Sequence, residues 1–279
     1  MSVENGEWIM HGLDADDPNC IHTVEALLEV IERVGFLPLF QNEIPGFSVE
    51  EWTDPYTWWS GDPGVDPWEW RVLLARTGKV AYGKFFNKKA GFVSKEWFPR
   101  FANYRRDGYD FDARFEDGLA SYREKAIMNL FLPENDEWSM PELDGEEEKK
   151  TTQEQRSVKP LEQDQKRREL FSFEAKQQAG FGKGGHKNFD GTVAGLEMQS
   201  YLIARDFRQR TNKRGERYGW AIAVYTLPEY LWGYDYVTGK YKEDPSASRD
   251  AIYEQVKKHF DAEERDLHKV IGKIVSNEL

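Results

Sequence analysis

The chain has 279 residues and a mass of 32.6 kDa, with 38 Lys and Arg against 50 Asp and Glu, a formal charge of −12. Aromatic residues make up 14 %, enough bulky anchors to build a core and too many for a disordered polymer. The acidic balance argues against nonspecific coating of DNA, which needs cationic surface against phosphate, but not against one localised DNA-facing surface. The single cysteine, Cys20, excludes an intramolecular disulfide scaffold and a cysteine-based zinc cluster. The length suits one large domain or two small ones.

Residues 1–20 carry Glu4, Glu7, Asp14, Asp16 and Asp17 and no base, which predicts a loose acidic lead-in that Trp8, Ile9 and Met10 could pin to the body. The start has neither the basic region nor the apolar run of a signal peptide. The longest apolar stretches, such as Ala221–Tyr225, fall far short of the roughly 20 residues needed to span a bilayer. A cytoplasmic protein without membrane attachment is the expectation.

Thr23 reads as the N-cap of a helix with Val24, Leu27, Leu28, Ile31 and Val34 on one face, closed by Gly35. Phe36 to Gly64 is turn-rich and aromatic, with a one-turn capping box between Ser48 and Glu51. Asp66-Pro67-Trp68-Glu69 opens a helix running to about Arg76. Val80–Phe86 and Ala90–Val93 read as a strand pair around the turn Asn87-Lys88-Lys89. Ser94 is then expected to cap a helix with Trp97, Phe98, Phe101 and Tyr104. The pattern weakens over 105–118 and returns as a helix over 119–132.

Residues 134–165 break the periodicity. Between Glu134 and Glu154 stand nine acids and two bases, a solvated acidic loop or a partner-binding tail. Helices are predicted over 167–179 and from about Asp190 and Gly191 to Tyr201. Strands follow at Ser200–Phe207 and Tyr218–Tyr225, joined by the polar arc Arg208–Arg217. Asp244-Pro245-Ser246 starts a helix with Ile252, Val256 and Phe260. Asp261 and Glu264 predict a capping box for a last helix.

Three helices followed by a two-stranded hairpin is the order of a winged helix, in which the third helix enters the major groove and the hairpin lies beside the backbone. Lys166 to Arg217 holds twelve bases and six acids, a local +6 inside a −12 chain. Lys183, Lys187, Gln199, Arg205, Arg208, Arg210, Lys213, Arg214 and Arg217 are the candidate DNA contacts, because guanidinium and ammonium groups on such an arc can pair with phosphates. A solvated hairpin whose charges prevent edge pairing is the competing reading.

Gly180-Phe181-Gly182-Lys183-Gly184-Gly185 lacks the spacing of a phosphate-binding or dinucleotide motif and reads as a turn whose amides could meet an anion. The five histidines show no metal-ligand spacing, so no metal and no cofactor are predicted. Glu43 lies in sequence near Trp52, Trp58, Trp59, Trp68 and Trp70. An aromatic pocket there would raise its pKa and make it an acid or base. Gln41 and Asn42 could read a base edge or sugar. Alternatively the indoles pin a loop and the amides satisfy backbone groups.

Several segments carry a resemblance. Gly35-Phe36-Leu37-Pro38-Leu39, Asn42-Glu43-Ile44-Pro45-Gly46-Phe47, Ala81-Tyr82-Gly83-Lys84-Phe85-Phe86 and Gly91-Phe92-Val93 belong to it. So do Ala179-Gly180-Phe181-Gly182, Leu196-Glu197-Met198-Gln199-Ser200-Tyr201-Leu202 and Tyr218-Gly219-Trp220. The chain resembles an uncharacterised bacterial AlkZ-related (YcaQ-like) winged-helix family over most of its length after residue 20. That family stands at a distance from the true DNA glycosylases, which excise alkylated bases and unhook crosslinks. The resemblance implies winged-helix architecture and association with double-stranded or damaged DNA. The glycosylases are larger, carry several winged-helix units and use a Gln-x-Gln or Gln-x-Asp motif on water. The nearest match here is Gln41-Asn42-Glu43, so Gln41 and Glu43 are the catalytic candidates if the chain is an enzyme.

The expected fold class is α+β: a winged-helix domain joined to a small N-terminal helix-hairpin-helix region, with C-terminal helices. The expected division is a lead-in (1–20), an aromatic α+β region (21–116), the winged helix with its acidic loop (117–232) and a helical segment (233–279). A DNA-associated glycosylase relative, a non-enzymatic protein-interaction adaptor and a small-molecule enzyme with an unrecognised pocket are the functional readings. The sequence leaves the oligomeric state open.

Overall fold

The computed structural model describes residues 2–4, 6–133, 169–212 and 214–272. The acidic stretch 134–165 and Lys213 lie outside the described residues. The chain opens with a small hairpin of β1 (Ser2–Glu4) and β2 (Glu7–Ile9). The lead-in is not loose beyond it. The amides of His11 and Leu13 donate to Glu50 Oε1 (2.9 Å) and the Thr53 carbonyl (3.2 Å), and that of Ile21 to the Trp52 carbonyl (2.7 Å).

Helix α1 (Val24–Val34) is capped by the Thr23 side chain. It ends at Gly35, where φ is 98° and a β-carbon would stand 2.5 Å from Trp97 Cδ1. Only glycine suits that conformation and that approach. Strand β3 (Phe36–Pro38) leads to a single 3₁₀ turn at Glu50–Trp52, where Glu51 accepts from the Ser48 hydroxyl at 2.6 Å. Asp66 caps α2 (Pro67–Thr77) with proline at the first position.

Strands β4 (Val80–Phe86) and β5 (Lys89–Ser94) meet through the two residues Asn87 and Lys88, both at positive φ, one residue fewer than expected. Helix α3 (Phe98–Arg106) starts without a side-chain cap. Ser94 ends β5 instead, and its buried hydroxyl has no hydrogen-bond partner among the described residues. The weak region contains α4 (Phe111–Glu116), and Ser121 with Glu124 forms a full capping box for α5 (Tyr122–Met128).

Past the undescribed stretch come β6 (Leu170–Phe171), α6 (Ser172–Gln178), α7 (Phe189–Met198), β7 (Ile203–Thr211) and β8 (Arg217–Thr226). Strand β8 pairs with β6 on one side and β7 on the other, all antiparallel. The succession α5–β6–α6–α7–β7–β8 is a winged helix, with β7 and β8 as the wing. Its core gathers Phe111, Ile127, Phe131, Phe181, Phe189, Val193, Leu196 and Leu227.

The wing sheet does not stop at β7. Tyr82 of β4 pairs with Ala204, giving one six-stranded sheet in the order β3-β5-β4-β7-β8-β6. After α8 (Pro228–Trp232) and α9 (Tyr234–Val237), α10 (Pro245–His259) and α11 (Glu264–Ile271) pack on the first half of the chain. Ile252, Val256, Leu267 and Ile271 share one core with Phe36, Phe47, Phe86 and Phe101. The sheet thus crosses the expected boundary at 116, and the C-terminal helices complete the N-terminal core. Asp244 caps α10 as the sequence suggests, whereas α11 begins after Glu263 without the Asp261 capping box.

Two buried arginines at the end of α3 tie these parts together. Arg106 pairs with Glu229 of α8 and donates to the Ser200 carbonyl at 2.7 Å. Arg105 donates to the carbonyls of Phe85, Ile271 and Gly272, and burial lowers its pKa to about 10.

Candidate nucleic-acid interface

In a DNA-reading winged helix the third helix presents polar and cationic side chains to base edges. Helix α7 does not. Phe189, Val193 and Leu196 fill the winged-helix core, while Ala194, Glu197 and Met198 are buried as well, and α7 packs against β4. Asp190 is the one exposed side chain along it, and it holds no base. The expectation that this helix enters the major groove is therefore corrected: the second layer supplied by β4 covers the face that would read bases.

The cations of the wing divide into those engaged by the fold and those left at the surface. Arg205 donates to the Ala75 carbonyl. Arg208 bonds Asp206 and, at 2.8 Å, Glu169. Burial pushes the Asp206 carboxyl up in pKa, but Arg76 at 2.7 Å and Arg208 outweigh it and hold the group below its usual value. These cations serve the fold.

Arg210 differs: it is exposed and lies over the Phe173 ring at 4.6 Å. Arg214 is exposed at the wing tip, where its amide donates to Asn212 Oδ1. The backbone sets Arg217 opposite Thr211. Phe173 also lines a shallow depression with Lys176, Gln177 and the turn Gly180–Gly185, which includes Lys183. The structure thus brings Arg210 and Lys183, far apart in sequence, to one face and adds Lys176, which sequence reading missed. Lys176 lay inside the basic segment, but only the phenyl contact reveals its neighbours. Lys187 is exposed farther along the same loop.

The N-terminal candidates are differently placed. Indole N–H groups of Trp52, Trp58 and Trp70 donate to Gly46 O (2.6 Å), Thr53 Oγ1 (3.0 Å) and Pro63 O (3.0 Å). Trp68 packs under the Arg71 guanidinium at 3.7 Å, with Phe207 on its other side at 4.1 Å. Trp59 is about half exposed. Asn42 bonds the Phe47 carbonyl and the Ile44 amide, satisfying backbone groups.

Glu43 forms an ion pair with Lys269 at 2.7 Å, and that hydrogen bond holds its pKa below the ordinary value. This corrects the raised value expected from an aromatic pocket, because a C-terminal lysine rather than an indole faces the carboxylate. Glu43, Asn42, Phe40, Asn87 and Lys269 line a cleft of about 160 Å³. The Gln41 amide donates to Glu50 Oε2, and its side chain is exposed.

Gln199, at the end of α7, donates to Glu124 Oε1 at 2.8 Å. Beside it Glu197 is 3 % exposed, and one of its carboxyl oxygens has no hydrogen-bond partner among the described residues. Burial raises its pKa to about 8 against the pull of Lys84. Among the described residues no group of three or more His, Cys, Asp or Glu could hold a metal, and no helix is long and apolar enough to cross a membrane.

No curated protein and no solved structure matches this chain. The sequence profile of the AlkZ-related proteins matches residues 21–272, which include both cores, the wing and the Gln41–Glu43 segment. On that match, spanning nearly the whole described fold, the chain belongs to the AlkZ-related family.

Proposed function

We propose that this chain is a DNA-associated relative of the winged-helix DNA glycosylases that holds duplex by its phosphates. Family membership supports the DNA partner. The observation that carries the mode of contact is the face made by Arg210, Phe173, Lys176 and Lys183, whose cations have no ion pair among the described residues. Phosphate contacts position a protein on duplex without reading sequence. With α7 covered, binding depends on salt and discriminates little between unrelated sequences.

The test is a titration of duplex at several salt concentrations. Arg210→Ala with Arg214→Ala removes two cations that make no ion pair among the described residues, so the slope of log K against log salt falls by about 2. Arg208 is left alone because its loss would take a partner from both Asp206 and Glu169. The reading fails if wild type shows no salt-dependent binding to intact or alkylated duplex, or if the double variant binds as wild type does.

Base excision is a second reading, favoured by the ionised Glu43 beside the exposed Gln41. In such a hydrolysis the C1′–N bond breaks with its electrons leaving on the base, and water adds to C1′. A carboxylate held below its ordinary pKa suits the base that accepts the water proton, and does not suit a proton donor to the leaving group. Release of alkylated base from duplex, with Gln41→Ala and Glu43→Gln as controls, decides it.

A further inference from the structure

Four arginines are buried among the described residues: Arg71, Arg105, Arg106 and Arg114. Arg71 is held between two aromatic rings, Arg105 by three carbonyls and Arg106 by Glu229. Arg114 of α4, only 5 % exposed, has no side-chain hydrogen bond, ion pair or ring contact among the described residues, and its buried Nε lacks an acceptor. A guanidinium N–H buried without an acceptor is costly, so its surroundings bear on function.

Arg114 lines a groove of about 440 Å³ together with Lys88, Arg123, Glu124, Gly195 and Gln199. The three cations outnumber the one acid. Glu124 is moreover engaged in the fold: Oε2 accepts from the Ser121 amide and hydroxyl at 2.7 and 2.8 Å, and Oε1 from Gln199 Nε2. That last bond fixes which way the Gln199 amide points, since reversal would set oxygen against carboxylate. Gln199 Oε1 is left as a buried acceptor without a donor. At Gly195 the helix surface is open, and a β-carbon would find only ordinary contacts at 3.8 and 3.9 Å.

A surplus of cations suits a dianion, and a buried lone acceptor suits a hydroxyl or amine carried next to it. We propose that this groove binds a phosphate monoester with a hydroxyl- or amine-bearing organic part, of the kind presented by a 5′-nucleotide. Arg114, Lys88 and Arg123 take the phosphate, and Gln199 Oε1 accepts from the organic part. The site is independent of the wing face. Its ligand is either a free nucleotide or the 5′ phosphate of a strand.

Calorimetric titration of the whole protein tests this with adenosine 5′-monophosphate, inorganic phosphate, adenosine, and a short single strand with or without a 5′ phosphate. The monophosphate binds more tightly than phosphate or adenosine. Lys88→Ala with Arg123→Ala weakens it by about tenfold or more. Gly195→Leu fills the groove while leaving every charge in place and abolishes binding, with unfolding measurements confirming the fold. Arg210→Ala with Arg214→Ala leaves monophosphate binding unchanged, which separates failure here from failure of the DNA reading. Preference for the 5′-phosphorylated over the 5′-hydroxyl strand assigns the strand end; binding of the mononucleotide alone assigns the free ligand. The proposal is overturned if neither phosphate ester binds at millimolar concentration, if adenosine or phosphate binds as well as the monophosphate, or if the groove variants bind as wild type does.

Discussion

Glu197→Gln tests the central packing of α7 against the sheet. The carboxyl is buried beneath Lys84 and Tyr82 of β4 and Tyr225 of β8, and its pKa stands at about 8 against an ordinary 4.5, chiefly through desolvation. Tyr82, pushed up to about 12, and Tyr225, pushed higher, stay protonated throughout the working range. The folded protein therefore keeps the Glu197 proton at pH values where the unfolded chain has released it. Between about 4.5 and 8 the unfolded state binds fewer protons, so stability falls as pH rises. At about 1.4 kcal/mol per pKa unit, the loss is on the order of 5 kcal/mol once pH exceeds 8. Glutamine keeps the shape and cannot ionise. Urea unfolding followed by tryptophan fluorescence at pH 5 and pH 9 should give a Glu197→Gln protein close to wild type at the lower pH and more stable by that order at the higher. Charges elsewhere cancel in the difference between the two proteins. A difference that stays within about 0.5 kcal/mol between the two pH values would refute the reasoning. So would a variant destabilised equally at both, which would mean that Glu197 is ionised and paired with Lys84.

Substitutions at three further positions probe the fold. Glu229→Ala leaves Arg106 buried with only the Ser200 carbonyl and Tyr241 hydroxyl as acceptors. Urea unfolding should show a loss of about 3–5 kcal/mol, with Glu229→Gln losing less; a loss below about 1 kcal/mol would mean the pair contributes little. Gly35→Ala drives a β-carbon into Trp97 at a φ of 98° and should cost about 2 kcal/mol or more. Gly195→Ala, in a helix interior with room for the methyl, should be neutral or stabilising on the same assay.

How much of this was legible in the sequence depends on the range of the forces involved. Caps act within a turn, so Thr23, Asp66 and Asp244 announced their helices correctly. Ser94 and Asp261 carry the same local signal and failed. Burial in β5 and the start of α11 after Glu263 decided those positions instead. The β4–β5 turn is one residue shorter than its polar sequence predicts because Lys88 takes a left-handed conformation that asparagine and glycine adopt more readily. The wing–helix order was legible from alternation of patterns, but the joining of β4 to β7 rests on the single pair Tyr82–Ala204, which no local pattern encodes.

The same limit governs the candidate sites. Counting bases located the basic segment. Only distances separate Arg205 and Arg208, engaged within the fold, from Arg210 and Arg214, which make no ion pair among the described residues. Helix α7 shows the cause most directly. A helix apolar on both sides is a core helix, and its neighbours decide whether any face remains for a ligand. Here the sheet takes one face and the winged-helix core another. What stays open is the narrow strip at Gly195 and Gln199, where Arg114 arrives from a helix that the sequence pattern did not announce. The contacts proposed for the basic face and for that strip call on different residues, so each is expected to be lost by substitution while the other persists.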